Sequence, residues 1–209
     1  TIAVGAINWQ DEQTSYSETG PNILVSAPSH NNSELLDAAI FTTDIMGEGG
    51  NSEGNYTSVV GGTSVTTPMV AGVVALMLEA NPNLTWRDVQ HILVKSSQKV
   101  DSDHVGWFKT EVNRDYNNAY GYGLVDATAA VNLAKNWQSV GSEVSVNTGR
   151  VVVDSYILDD NNAGVTSEIF VHQSINLETI EVLVKIDHSD RGDLNLFLES
   201  PNGIISELV

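Results

Sequence analysis

Hydrophobic residues in the first sixty positions occur in short runs that alternate with loops rich in Gly, Asn and Ser. The runs at residues 1–7, 22–28 and 56–60 have the length and the β-branched content that are typical of buried strands. The stretch 48–55 consists of Gly, Asn, Ser and Glu, which is the composition of a surface loop. The pattern therefore predicts buried strands joined by polar connections.

Three helices are predicted between residues 64 and 137. Apolar and small residues fill most positions from Ser64 to about Asn81, which predicts a helix buried on nearly all sides. Thr85 and Asp88 make a Thr-x-x-Asp capping-box pattern, so a second helix is expected to begin there. The third helix is predicted over residues 126–137, where Ala, Val and Leu recur at helical spacing.

Beyond residue 137 the hydrophobic pattern changes from helical spacing to alternation. Val, Ile and Leu recur at every second position through much of 144–198, as in half-buried strands. A β-sandwich or jelly-roll module is expected from about residue 141, with its final strands at 180–187 and 194–199 joined by a turn. The sequence thus predicts an α/β domain at 1–140 and an incomplete all-β domain at 141–209.

Charge and composition narrow the range of partners. The 209 residues contain nine Lys and Arg against 27 Asp and Glu, a formal net charge of -18 at pH 7. Such a charge disfavours nucleic acid and anionic membranes and attracts cationic peptides, although it also simply keeps a protein solvated. The absence of Cys excludes a thiolate metal site and a Cys nucleophile. The longest apolar run, 69–78, is too short to span a bilayer, and no secretory signal pattern opens the chain.

The segment 61–72, Gly-Gly-Thr-Ser-Val-Thr-Thr-Pro-Met-Val-Ala-Gly, leads a Ser into the first turn of the predicted helix. Its glycines allow a substrate backbone to pass closely, and Pro68 is expected near the helix start, where amides have no internal acceptor. The unpaired amides at the helix start can stabilise an oxyanion formed when Ser64 attacks a carbonyl. Ser64 is therefore a candidate nucleophile, and the alternative is that it merely N-caps the helix.

Several motifs resemble those of one protease family. The pattern Gly-Thr-Ser-x-x-x-Pro-x-x-Ala-Gly at 62–72 closely resembles the Ser motif of the subtilisin superfamily. The segment 78–90, Leu-Glu-Ala-Asn-Pro-Asn-Leu-Thr-Trp-Arg-Asp-Val-Gln, resembles kexin-like and furin-like proprotein convertases, as do Tyr16-Ser17-Glu18 and the turn and helix at 120–127. The segments 190–194 and 200–206 are similar to the P domain, or P/Homo B domain, that follows these proteases.

The resemblance implies the C-terminal part of a subtilisin-like parallel-sheet peptidase domain and the start of a P domain. It implies a serine endopeptidase that cleaves after basic residues through Ser64 as acyl-enzyme nucleophile, with Gly62 and Thr63 at the oxyanion and substrate-backbone site. The family places its catalytic Asp and His before the Ser. These residues and an oxyanion Asn are expected upstream of Thr1, and the chain alone is expected to be inactive.

The same resemblance implies a cofactor, partners and a location. Glu18 resembles a carboxylate ligand of a structural Ca²⁺. Polypeptide substrates are expected, with a propeptide or a chaperone as further partners, but neither nucleic acid nor a membrane span. A secreted, extracellular or periplasmic location is expected, and the lack of Cys favours a bacterial origin.

Other interpretations stay open. The main rival is a non-catalytic binding or scaffolding module in which Ser64 is only a helix cap. A nucleophile-elbow hydrolase is disfavoured, because Gly-x-Ser-x-Gly is absent around Ser64. The Arg-Gly-Asp at 191–193 is expected to form a turn rather than an adhesion motif. The segments 31–33, 55–57 and 83–85 fit the glycosylation pattern, which matters only in a eukaryotic secretory pathway. Structural or solvated roles are expected for all five His, and surface positions for the acids Asp44, Asp101, Asp103, Asp159 and Asp160.

Overall fold

The computed structural model describes residues 1–30, 40–159 and 163–208 and divides the chain into two compact units. One unit comprises Thr1–Val140 together with the segment from Asn195 onward, and the other is Gly141–Leu194. All three α-helices of the described residues belong to the first unit. The glycosylation pattern at 31–33 and Asp160 lie outside the described residues.

Two parallel strands form part of the core of the first unit. β1 (Ala3–Ile7) pairs with β2 (Ile23–Pro28), so that Val4 lies opposite Val25. Val25, Ser26 and Ala27 are consecutive and all fully buried. Because consecutive side chains point to opposite faces, both faces of β2 are covered, as the continuous apolar run predicts.

A second strand pair frames a surface loop. β3 (Ile40–Thr43) pairs with β4 (Tyr56–Val60) in antiparallel fashion, and the polar stretch 48–55 lies in the loop between them, as predicted. The Asp44 carboxylate organises this loop by accepting the amides of Ser52 and Ile45 at 2.8 and 2.9 Å. Partial burial opposes ionisation of Asp44, but these hydrogen bonds outweigh it and hold its pKa below the usual value.

The first helix, α1 (Thr63–Ala80), is buried along one face only. Its buried residues recur at helical spacing and pack on β1, β2 and the third helix; they are Thr66, Val70, Val73 and Met77. On the other side, Leu76 and Leu78 are 49% and 39% exposed. The prediction that α1 is buried on nearly all sides is therefore wrong. Within the described residues, β1, β2 and the third helix all pack on the same side of α1.

Length and apolar composition would allow α1 to cross a membrane, and it is the one helix of the described ranges that meets both criteria. Core helices of soluble proteins meet the same criteria. Since Val70, Val73 and Met77 belong to the hydrophobic core, α1 is weak evidence for a span.

The second and third helices confirm their predicted starts. α2 (Trp86–Ser96) opens with the expected capping box: Thr85 Oγ1 accepts the Asp88 amide at 3.2 Å, and Asp88 Oδ2 accepts the Thr85 amide at 2.8 Å. α3 (Ala127–Lys135) is capped by Asp126, whose carboxylate accepts the Ala129 amide at 2.8 Å. Between them lies a short hairpin formed by β5 (Phe108–Lys109) and β6 (Asp115–Tyr116).

The last seventy residues differ from their predicted strand pattern. The described part of 141–194 contains no strand, and β7 (Phe197–Glu199) pairs with β8 (Ile205–Glu207) rather than with 180–187. Arg191–Asp193 form a short 3-10 helix instead of a simple turn. A strand needs a neighbour for its backbone groups and cover for its apolar face. The 180–187 segment lacks such cover, since Leu183 is fully exposed.

Candidate functional site

A turn of two glycines connects β4 to α1. Val60 ends the strand and Thr63 begins the helix, so Gly61 and Gly62 form the whole connection. Gly62 has a φ of 87°, which residues with a side chain rarely adopt. A Cβ at position 61 would overlap the imidazole of His30, so a side chain here would require His30 to move. Glycine is therefore favoured at position 62 by its backbone conformation and at position 61 by the neighbouring His30 side chain.

Ser64 is the second residue of α1, and it is exposed. The N-cap is Gly62, and no side chain caps this helix, so the interpretation of Ser64 as the cap is wrong. The first turn of α1 contains no acidic residue that would neutralise the positive end of the helix dipole. The amide of Ser64 also lies in the turn whose N–H groups have no acceptor within the helix. This environment can stabilise negative charge that develops on a substrate carbonyl oxygen.

Two hydroxyl groups from an earlier part of the chain hold the Gly62 backbone. The Gly62 amide donates to Tyr16 Oη at 3.2 Å, and the Gly62 carbonyl accepts from Ser29 Oγ at 3.1 Å. The two hydroxyl oxygens are 2.8 Å apart, and the Tyr16 hydroxyl also donates to the His30 carbonyl. Both the amide and the carbonyl of Gly62, in the turn before Ser64, are thus hydrogen-bonded to side chains.

An open cavity of about 380 Å³ lies at this turn. Gly62, Thr63 and Ser64 meet in its wall, whereas Glu18 is not among the lining residues. His30 also lines the cavity, although the sequence placed it only in a loop with a structural or solvated role. No local pattern could have found it, because its position depends on the contact with Gly61 across the fold. The full lining comprises Tyr16, His30, Val59, Gly61, Gly62, Thr63 and Ser64.

Glu18 is an exposed carboxylate that follows the buried Ser17. Ser17 is fixed by the Ala6 amide, which donates to its hydroxyl at 3.0 Å. Among residues 1–30, 40–159 and 163–208, no group of three or more His, Cys, Asp or Glu is placed to hold a metal ion. Glu18 suits a hard cation chemically but provides at most two of the six to eight oxygens that Ca²⁺ takes. Calcium ligation at Glu18 stays a prediction.

One of the predicted surface acids, Asp101, belongs instead to a partly buried hydrogen-bond cluster. Asp101 accepts from the hydroxyl of Tyr120 at 2.6 Å, and Tyr120 is 1% exposed. Burial, together with the hydrogen bond to Asp101, raises the pKa of Tyr120 to about 12. His104 packs edge-on against the same ring and contacts the Asn117 side chain at 2.9 Å. These residues do not line the cavity at Ser64, and His104 has the structural role that the sequence predicts.

The chain belongs to the subtilase family (Peptidase_S8), whose family model matches residues 1–123. The model of the proprotein convertase P-domain matches residues 177–209. With the parallel strands and the Ser64 turn, these matches define an α/β serine-protease domain followed by a P domain.

Whole-chain relatives confirm the kexin-like and furin-like branch. Protease KEX1 of Kluyveromyces lactis is 33% identical over 214 residues, which cover 100% of this chain and 27% of that protein. Proprotein convertase subtilisin/kexin type 6 of Homo sapiens is 34% identical over 215 residues, which cover 100% of this chain and 21% of that protein. The chain thus spans about a quarter of the length of these curated relatives. Both relatives are eukaryotic, so they give no support to the expected bacterial origin.

A solved structure supports the same fold. The serine protease of Aeromonas sobria is 27% identical with a TM-score of 0.60, over 66% of this chain and 30% of that chain. The same protease in complex with its chaperone ORF2 matches equally well, at 26% identity and a TM-score of 0.60, over 66% of this chain and 30% of that chain.

Proposed function

We propose that this chain supplies the nucleophile and part of the oxyanion site of a kexin-like serine endopeptidase. The observation that carries the proposal is the position of Ser64, exposed at the start of α1 beside a two-glycine turn and an open cavity. A nucleophile needs access to the substrate carbonyl, and the developing oxyanion needs donors nearby. Ser64 offers both in one residue, its hydroxyl for attack and its amide as a donor.

The reaction forms an acyl-enzyme through Ser64. Its Oγ attacks the scissile carbonyl carbon, and its proton passes to a His general base that an Asp orients. The Ser64 amide donates to the carbonyl oxygen as that oxygen becomes negative, while Gly62 and Thr63 border the substrate backbone. Collapse of the tetrahedral intermediate breaks the scissile C–N bond: the amine product leaves with the proton from the His, and the acyl group stays on Ser64 as an ester. Water, deprotonated by the His, then hydrolyses this ester and frees Ser64.

The His base, its Asp and a second oxyanion donor come from sequence upstream of Thr1 in this proposal. The much greater length of the relatives supports it, since the chain covers 27% and 21% of two of them. Without base and orienter, the Ser hydroxyl is a weak nucleophile at neutral pH. The isolated chain is therefore expected to be inactive.

Substrate, cofactor, partner and location are proposed on the same family basis. The substrate is a polypeptide cut after basic residues, which the net charge of -18 would attract. Glu18 contributes one carboxylate to a structural Ca²⁺ site whose other ligands lie outside this chain. A propeptide or chaperone is a further partner, a proposal that the chaperone complex of the Aeromonas sobria protease supports. The enzyme acts outside the cytoplasm.

Covalent labelling tests the proposal directly. The full-length protein that carries this chain is treated with a fluorophosphonate probe, and the labelled peptide is identified by mass spectrometry. The expected result is labelling at Ser64 that disappears in Ser64→Ala and persists in Ser102→Ala, a serine on an exposed loop. If the folded full-length protein is never labelled by the probe at Ser64, the endopeptidase proposal is refuted and a non-catalytic binding module is favoured.

A further inference from the structure

Both polar backbone groups of Gly62 are bound by side chains from distant positions in the sequence. Tyr16, 46 residues earlier, accepts the Gly62 amide, and Ser29, 33 residues earlier, donates to the Gly62 carbonyl. Helix caps and turns usually satisfy such groups locally. Here the bonds tie the turn before Ser64 to the region of the chain that contains β2.

The two hydroxyls form one connected network rather than two separate bonds. Their oxygens are 2.8 Å apart, and the Tyr16 hydroxyl also reaches the His30 carbonyl. Each hydroxyl has one hydrogen, so at any moment the two hydrogens serve only two of three contacts: Tyr16 with His30, Tyr16 with Ser29, and Ser29 with Gly62. Loss of either hydroxyl therefore disturbs the bonds of the other.

The Val65 amide also donates to the Gly62 carbonyl at 3.3 Å, but this local bond joins the turn only to the start of α1 and not to the core strands. Gly61 and Gly62 have no side chains to pack, and glycine gives the backbone more freedom than any other residue. Ser29, in contrast, is 3% exposed and directly follows β2, so its hydroxyl is held on a rigid element. The network thus fixes Gly62, the residue that precedes Thr63 and Ser64, to the region of the core that contains β2.

We propose that Tyr16 and Ser29 are positioning residues that hold the Gly62 peptide groups, and through them the Ser64 amide, in the geometry that stabilises the oxyanion. The inference rests on the proposed endopeptidase function. An oxyanion donor acts mainly in the transition state, so its displacement lowers kcat more than it changes KM. A purely structural role would instead lower thermal stability and leave the kinetic constants of the folded enzyme unchanged.

Tyr16→Phe in the full-length enzyme tests the inference, because it removes the hydroxyl and keeps the ring. We expect kcat to fall about tenfold with KM within about twofold, the scale of one hydrogen bond in the transition state. The inhibition constant of a peptide aldehyde, whose adduct carries an oxyanion, should rise by a similar factor. Tyr156→Phe is the matched control, since Tyr156 is 93% exposed, and it should change none of these values.

Substitutions of Ser29 test the positioning role independently of Tyr16. Ser29→Ala should lower kcat by a similar factor, and Ser29→Thr should restore most of it because the hydroxyl returns. Since the two hydroxyls share hydrogens, the double variant Tyr16→Phe/Ser29→Ala should lose clearly less than the product of the two single losses. Equal kcat in wild type, Tyr16→Phe and Ser29→Ala would overturn the inference, as would a loss confined to KM or to the melting temperature.

Failure of this inference differs from failure of the proposed function. If wild-type enzyme labels at Ser64 but the Tyr16 and Ser29 variants keep full kcat, the positioning role alone is refuted. If the folded wild-type protein never labels at Ser64, the endopeptidase proposal fails first, and the positioning role fails with it.

Discussion

Asp88 accepts five hydrogen bonds while fully buried, which makes it the most informative residue for a stability test. Oδ2 accepts the amide and hydroxyl of Thr85 at 2.8 and 2.7 Å and the Ser139 hydroxyl at 2.8 Å. Oδ1 accepts the Trp137 indole N–H at 2.9 Å and the Val140 amide at 2.8 Å. The carboxylate thus joins the start of α2 to the last residues of the segment Thr1–Val140.

The perturbation is Asp88→Asn, which keeps the shape and replaces one oxygen by an NH₂ group. At Oδ1 this group would face two N–H donors that cannot reverse. At Oδ2 it would face the Thr85 amide and two hydroxyls that can rotate. The second orientation is less costly, yet it still places the new NH₂ group opposite the Thr85 N–H, so that two donors face each other in a buried site. The substitution also removes the negative charge that strengthens the remaining hydrogen bonds. We expect a loss of about 3 kcal/mol in the free energy of unfolding.

The same geometry predicts a pH dependence. Burial opposes ionisation of Asp88, but the hydrogen bonds from Thr85 and Val140 outweigh it and hold its pKa far below the ordinary value of 3.8. Because the folded-state pKa is lowered, the stabilisation is fully present above about pH 4 and is lost as pH falls toward the lowered folded-state pKa. Asp88→Asn should remove this part of the acid destabilisation.

Thermal unfolding of the full-length protein measures both effects, in a Ser64→Ala background that prevents self-cleavage. A loss of about 3 kcal/mol corresponds to a fall in melting temperature of about 6–12 °C for a domain of this size. Asp103→Asn is the matched control, since Asp103 is exposed, and it should shift the transition by less than about 2 °C. A melting temperature for Asp88→Asn within 2 °C of the background, or an unchanged acid dependence, would refute the reasoning.

Gly62 and Glu18 can each be tested with one substitution and a matched control. Gly62→Ala forces a side chain onto a φ of 87° and should cost about 1–2 kcal/mol and slow labelling of Ser64, whereas Gly192→Ala, with open space around it, should do neither. In calorimetry with added Ca²⁺, Glu18→Gln should reduce the stabilisation by about 1.4 kcal/mol for each tenfold loss of affinity. An equal effect of the exposed control Glu53→Gln would contradict ligation at Glu18.

Features that depend only on residues close together in the sequence could be predicted from it. The capping box at Thr85 and Asp88 links residues three apart, so its pattern was sufficient to predict the start of α2. The buried run of β2 and the glycine turn before Ser64 are equally local. The segment 61–72 also contains the family motif, which is why the subtilase family was recognised from the sequence with no knowledge of the fold.

Features that depend on contacts between distant elements could not be predicted from the sequence. Three of the five donors to Asp88 come from residues 137–140, about fifty positions away, and Tyr16 and Ser29 reach Gly62 from 46 and 33 positions earlier. The exposed face of α1 and the absence of strand pairing at 180–187 also depend on contacts between distant segments, which the local sequence does not specify. Hydrophobic periodicity tells which side of an element is apolar, whereas the contacts of the folded chain decide what covers that side and which polar groups meet there.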